Sequence, residues 1–229
     1  MAQGAHPCHR SWAMRSSVSA ADLDSLRAAV GAGVVPPYAL APGAAGVLTA
    51  GTLMWSWQHA HRVLLAWRTW VPEMPDDGAS VARILRAPHL AGVAPALRGR
   101  GIVGIDVAIP GAPALAARRL AALRRLGPEF DSVAAESADE LLARRPPLER
   151  PQAIGEHVLL RELPEPAVDA FIAAVGPGSG TELVAAELRH LGGSQFAVVA
   201  LGVPGPGEQA ERVRIALDQL VRRLAPWTG

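Results

Sequence analysis

Apolar and polar positions along this chain keep two rhythms: alternation at every second residue over short runs, and recurrence at every third or fourth over longer ones. The first marks strands and the second helices. From about residue 47 onward the order of rhythms occurs twice. Strand-like runs at 48–55, 80–86 and 102–109 are interleaved with helix-like runs at 59–71 and 112–126. Strand-like runs at 157–162, 182–191 and 196–203 are interleaved with helix-like runs at 166–175 and 208–224. Both copies read β-α-β-β-α, an internal repeat.

Individual spacings support each element. Val168, Phe171, Ile172 and Val175 share one helix face, behind a proline at a position where its missing N–H does no harm. Ala210, Val213, Leu217, Leu220, Val221 and Leu224 form one stripe, with Glu208/Arg212 and Asp218/Arg222 as outward pairs four apart. Ala60, Leu64, Trp67 and Val71 make the matching stripe in the first copy. Such a repeat, with its helices on one face, is the ferredoxin-like theme. The expected fold is therefore α+β: two ferredoxin-like β-α-β-β-α halves, about 47–127 and 155–229, forming one broad antiparallel sheet with helices on one face. The linker holds a short helix at 138–144, and residues 1–46 form an irregular segment rich in Gly, Ala and Pro.

Aligning the strands before the closing helices on their Pro-Gly ends sets Val103, Ile105, Val107 and Ile109 against Ala197, Val199, Leu201 and Val203. This bulkier set is expected beneath the helices, and Ile102, Asp106, Phe196 and Val198 on the open face. In the run from Thr181 to Gly193, alternation sends Leu183, Ala185, Glu187 and Arg189 to that open face, near Asp106. Asp106, His157, Glu187 and Arg189 are the candidate substrate-face residues, and Glu187 and Arg189 are expected to be solvated. A face carrying Ile102, Leu183, Phe196 and Val198 needs a cover: another domain, a second copy of the chain, or the N-terminal segment.

Composition narrows the chemistry. The 229 residues are half apolar and 19% charged, which suits a globular fold and excludes wholesale disorder. All 22 basic residues are arginines, dispersed and balanced by 21 acids, so no nucleic-acid footprint stands out. One cysteine excludes an internal disulfide framework and a cysteine-rich zinc module. The uncharged stretch 28–57 is broken by Pro36, Pro37 and Pro42, against a membrane span. With no export signal evident, a cytoplasmic location is expected.

Gly99-Arg100-Gly101-Ile102-Val103-Gly104 matches G-x-G-x-x-G in letters, but its glycines run into a strand where a dinucleotide loop needs a helix. No cofactor-binding residue is identified. His6, Cys8 and His9 lack a fourth ligand, and His59 and His61 stand two apart, so no metal site is expected. No G-x-S-x-G elbow points to serine catalysis.

Ala50-Gly51-Thr52-Leu53-Met54-Trp55-Ser56-Trp57, Ala66-Trp67-Arg68-Thr69-Trp70, Glu187-Leu188-Arg189-His190-Leu191-Gly192-Gly193 and Leu224-Ala225-Pro226-Trp227 together resemble the substrate-binding domain of berberine-bridge-type FAD-linked oxidoreductases. The similarity runs from about Gly51 to Gly229 and implies FAD as cofactor, with the open sheet face toward flavin and substrate. Members hold FAD in a separate N-terminal domain. No such domain or pyrophosphate loop precedes Gly51, and the family's usual C-terminal segment is absent after Trp227. The expectation is a substrate-domain fragment or split subunit of a flavin-dependent oxidoreductase, not competent alone. Its partner would be a separate FAD-binding domain, or a second copy through the open face. The alternative is a non-catalytic ferredoxin-like module that binds a small molecule or another protein.

Overall fold

The structure is a computed structural model and describes residues 47–87, 98–137, 153–204 and 207–229. The irregular segment 1–46 and the linker helix at 138–144 lie outside the described residues. In chain order the elements of the first half are β1 (Val47–Ser56), α1 (Ala60–Trp70), β2 (Ala79–Arg86), β3 (Gly101–Pro110) and α2 (Pro113–Arg124). Two short strands follow, β4 (Phe130–Asp131) and β5 (Ala134–Ser137). The second half holds β6 (Ile154–Leu160), α3 (Glu165–Val175), β7 (Ala185–Gly192), β8 (Gln195–Gly202) and α4 (Gln209–Leu224).

All eight strands form one antiparallel sheet in the order β4-β1-β3-β2-β7-β8-β6, with β5 also on β1. The four helices lie on one face, so the fold is α+β with two β-α-β-β-α halves meeting at the β2–β7 seam. That seam pairs Val81–Leu85 with Arg189–Ala185 and is centred on Arg83 opposite Glu187, with Ala82 opposite Leu188 and Val81 opposite Arg189. Ala82 is paired in β3 with Ile105, and Leu188 in β8 with Val198.

This register corrects the expectation for β8. Phe196, Val198 and Ala200 belong to the helix-side core, whereas Ala197, Val199 and Leu201 are half-buried on the other face. The Pro-Gly ends align the turns after the strands and miss the sheet pairing by one residue, which flips every side chain. Burial of the largest side chain decides the outcome: the Phe196 ring lies 6.0 Å from the Trp67 ring, edge to face. Gly202, next on that face, leaves room for Val213 of α4, whose Cγ1 would stand 2.4 Å from a Cβ there. Leu183 also moves to the helix-side core, because β7 begins only at Ala185 and alternation does not extend back to it.

Trp55, Trp67 and Phe171 are fully buried in this core, each burial worth about 1.5–3 kcal/mol for a large apolar side chain. Trp67 Nε1 donates to Ser80 Oγ at 2.9 Å, so its one polar atom is satisfied. On the helix surface His61 of α1 reaches Asp169 and Glu165 of α3, Nε2 lying 3.2 and 3.6 Å from their carboxylates. The linker also supplies β4 and β5, both paired with β1. Gly51, with φ near +151°, lets Ser132 approach β1: its carbonyl oxygen would lie 2.6 Å from any Cβ.

Candidate functional site

β2 contains Val81-Ala82-Arg83-Ile84-Leu85. Ala82 and Ile84 pack with the helices, so alternation places Arg83 on the helix-free face. In β3, Val103, Ile105 and Val107 pack with the helices, which places Asp106 on that same face. Thr52 of β1 stands opposite Asp106, and Glu187 of β7 stands opposite Arg83. One polar row therefore crosses four strands.

Its geometry is continuous. The Thr52 hydroxyl donates to Asp106 Oδ1 at 2.5 Å, and Arg83 Nη2 pairs with Asp106 Oδ2. Arg83 Nη1 lies 3.6 Å from Glu187 Oε1. Arg189 donates to Glu187 Oε2 from Nη2 at 2.7 Å and from Nε at 3.2 Å. Arg83 and Asp106 are each 3% exposed, Glu187 is 2% exposed and Arg189 is 24% exposed. The expected solvated pair is thus corrected: Glu187 is buried, because Arg83 and Arg189 bracket its carboxylate. Among the described residues the row holds two guanidinium groups and two carboxylates. Glu187 Oε1 accepts no hydrogen bond, which leaves a buried acceptor beside the Arg83 guanidinium.

Three of the four candidate residues, Asp106, Glu187 and Arg189, are thus brought into one network, while His157 stands apart. His157 lies on the same face of β6, opposite Val199, which is itself opposite Glu187. It is exposed, about 10 Å from the Glu187 strand by inter-strand spacing. Sequence reasoning missed Arg83 and Thr52. An arginine flanked by apolar neighbours within a strand was the available signal for Arg83, whereas the Thr52–Asp106 match depends on a register that only the fold supplies.

A second carboxylate lies at the end of β1. Glu129 Oε1 accepts the Ser56 N–H at 3.2 Å, and Oε2 is buried without a hydrogen bond. Burial holds this carboxyl above the ordinary glutamate range, against the Ser56 bond and the Arg100 charge, which pull it down. Among the described residues no group of His, Cys, Asp and Glu has the makings of a metal site. Gly99 turns with φ near +70° and Gly101 opens β3, so the glycine-rich run leads into a strand.

No protein-family model and no curated protein matches this sequence. Solved structures match its fold. 6-Hydroxy-D-nicotine oxidase from Arthrobacter nicotinovorans superposes on 80% of the chain with a TM-score of 0.54 at 20% identity, over 44% of its own length. Berberine bridge enzyme from Eschscholzia californica superposes on 80% with a TM-score of 0.57 at 13% identity, over 41% of its length. The berberine-bridge-enzyme-like protein 1 of Physcomitrella patens reaches a TM-score of 0.62 at 8% identity, over 44% of its length. The fold is thus that of a portion of berberine bridge enzyme and its structural relatives. The chain spans less than half the length of each. Among the described residues no helix is long and apolar enough to cross a membrane.

Proposed function

We propose that residues 47–229 are the substrate-facing domain of a flavin-dependent oxidoreductase, acting with a flavin-bearing partner domain or subunit. The observation that carries this reading is the fold match, over 80% of this chain, to under half of each of several oxidases. The helix-free face suits the flavin-ring side of such an enzyme. Ala50, Gly104, Ala108 and Ala185 keep it low, and the Thr52–Asp106–Arg83–Glu187–Arg189 row fixes donors and acceptors on it. The run Gly99–Gly104 does not suit a pyrophosphate, because it enters a strand. FAD, when bound by the partner, supplies the hydride acceptor. This chain's own residues orient a substrate: Glu187 Oε1 offers an acceptor for an N–H or O–H group, and His157 a titratable ring at the rim.

Complementation tests this. The chain is mixed with the FAD-loaded flavin domain of 6-hydroxy-D-nicotine oxidase lacking its own counterpart of this domain, and flavin fluorescence and absorbance are followed. A saturable perturbation, weakened by Glu187→Gln, supports the reading. No complex, for the full chain and for residues 47–229 alike, overturns it. Stoichiometric FAD retained by the chain alone overturns the division of labour.

A second reading, a non-catalytic module of ferredoxin-like type, is favoured by one observation: both carboxylates of the row, Asp106 and Glu187, are held by guanidinium groups.

A further inference from the structure

The helix layer carries its charges unevenly. Its helices pack side by side in the order α2, α1, α3, α4. Helices α1 and α2 hold Arg62, Arg68, Arg118, Arg119 and Arg124 and no acidic residue, whereas α3 holds Glu165 and Asp169 and no basic one. Arg124 pairs with Asp131, but among the described residues Arg62, Arg68 and Arg118 form no ion pair. Helix α4 carries both signs and pairs them along its own length, Arg214 with Glu211 and Arg222 with Asp218.

The two signs meet at the groove between α1 and α3. His61 touches Glu165 and Asp169 there, yet those carboxylates remain 59 and 58% exposed. Arg62, the next residue, is exposed and stands at the same level along the groove. Between the charges the outward positions are apolar and mostly small: Leu65 and Ala66 on α1, and Pro166, Ala170 and Ala173 on α3.

We infer that this groove is a self-association surface, and that its occupant is a second copy of the chain docked about a two-fold axis running along the groove. Such a rotation lays α1 of each copy over α3 of the other and keeps every residue at its own level. Arg62 of one copy then meets Glu165 and Asp169 of the other, and the contact occurs twice per dimer. The patch is its own electrostatic complement, whereas a uniformly acidic or basic partner would match only half of it. Helix α2 falls over the internally paired α4, so the contact that sets the register is Arg62 with the α3 carboxylates. This surface lies across the sheet from the face assigned to a flavin-bearing partner, so the inference stands or falls apart from that reading.

Sedimentation velocity of the full chain tests it. The expected result is a reversible monomer–dimer equilibrium whose dissociation constant rises about tenfold or more between about 0.05 and about 0.5 M salt. Arg62→Glu and Asp169→Arg alter exposed side chains, so circular dichroism should be unchanged while each shifts the equilibrium about tenfold or more toward monomer. Their equimolar mixture should regain a heterodimer, because each reversed charge then meets its opposite. Arg62→Gln, which removes the charge without reversing it, should weaken the dimer by a smaller factor. Leu159→Asp, on the helix-free side, should leave it intact. A chain that stays monomeric at about 200 µM in low salt overturns the inference. A dimer unchanged by both reversals, or reversals that fail to complement each other, also overturns it. Loss of the dimer in Leu159→Asp but not in Arg62→Glu overturns it in favour of the opposite face.

Discussion

Arg83 and Glu187 face each other across the seam between the two halves, both almost fully buried, with Nη1 and Oε1 3.6 Å apart. The same guanidinium holds Asp106, so one cation serves a carboxylate from each half. Arg83→Met keeps the length and removes the guanidinium that stands between the two buried carboxylates, leaving Glu187 to Arg189. Breaking a buried pair in this way costs about 3–5 kcal/mol. Urea unfolding near neutral pH should show that loss, and a loss below about 1 kcal/mol, typical of exposed pairs, would mean the row is solvated in solution.

Glu129 gives the stability a defined pH dependence. Its folded carboxyl holds the proton to higher pH than the unfolded chain's glutamate, so the folded state binds more protons between the two values. Stability from this group is full at low pH and falls as pH rises through that window. Glu129→Gln keeps an oxygen for the Ser56 N–H and removes the ionisation. The variant should therefore gain on the parent as pH rises above the ordinary glutamate range, read from urea midpoints. His59 has the opposite sign. Burial and Arg62 lower its pKa, so its contribution is present above the ordinary histidine value and lost as pH falls. His59→Gln separates the two.

Gly101 tests a packing contact at the end of β3. The Trp57 ring lies over it, so that a Cβ there would stand 1.8 Å from the nearest ring carbon, and the Arg86 guanidinium sits 5.3 Å from the ring centre. Gly101→Ala has no backbone strain to blame and must push the indole off its shelf. The expected cost is about 1–3 kcal/mol, as for other overpacked sites. Loss of the Arg86 contact should accompany it as a red-shifted tryptophan emission.

The repeat, the helix stripes and the face occupied by Asp106 and Glu187 were legible because amphipathic alternation is local and each half repeats it. What stayed hidden is long-range. Nothing near Arg83 in sequence announces that Glu187 will stand opposite it, since pairing across the seam is set by how the two halves dock. Phe196 shows the other limit. Average side-chain size along the strand favoured one face, but a single large ring with Trp67 beneath it outweighs several small residues. His157, opposite Val199 on β6, stands two strands from the network, a separation that depends on sheet order.

The β8 register yields a prediction that sets neighbouring residues apart. Val198 is fully buried among the helices, and Val199 is half-buried on the opposite face, between Glu187 and His157. An aspartate at Val198 must be buried without a partner or protonated, one of the few changes expected to exceed about 4 kcal/mol. At Val199 the same side chain points away from the core toward the His157 side, and the cost should stay near the ordinary 1 kcal/mol of a half-exposed site. Urea unfolding of Val198→Asp and Val199→Asp decides between registers one residue apart. Had Val199 been the buried residue, as the Pro-Gly alignment implies, the ranking of the two variants would reverse.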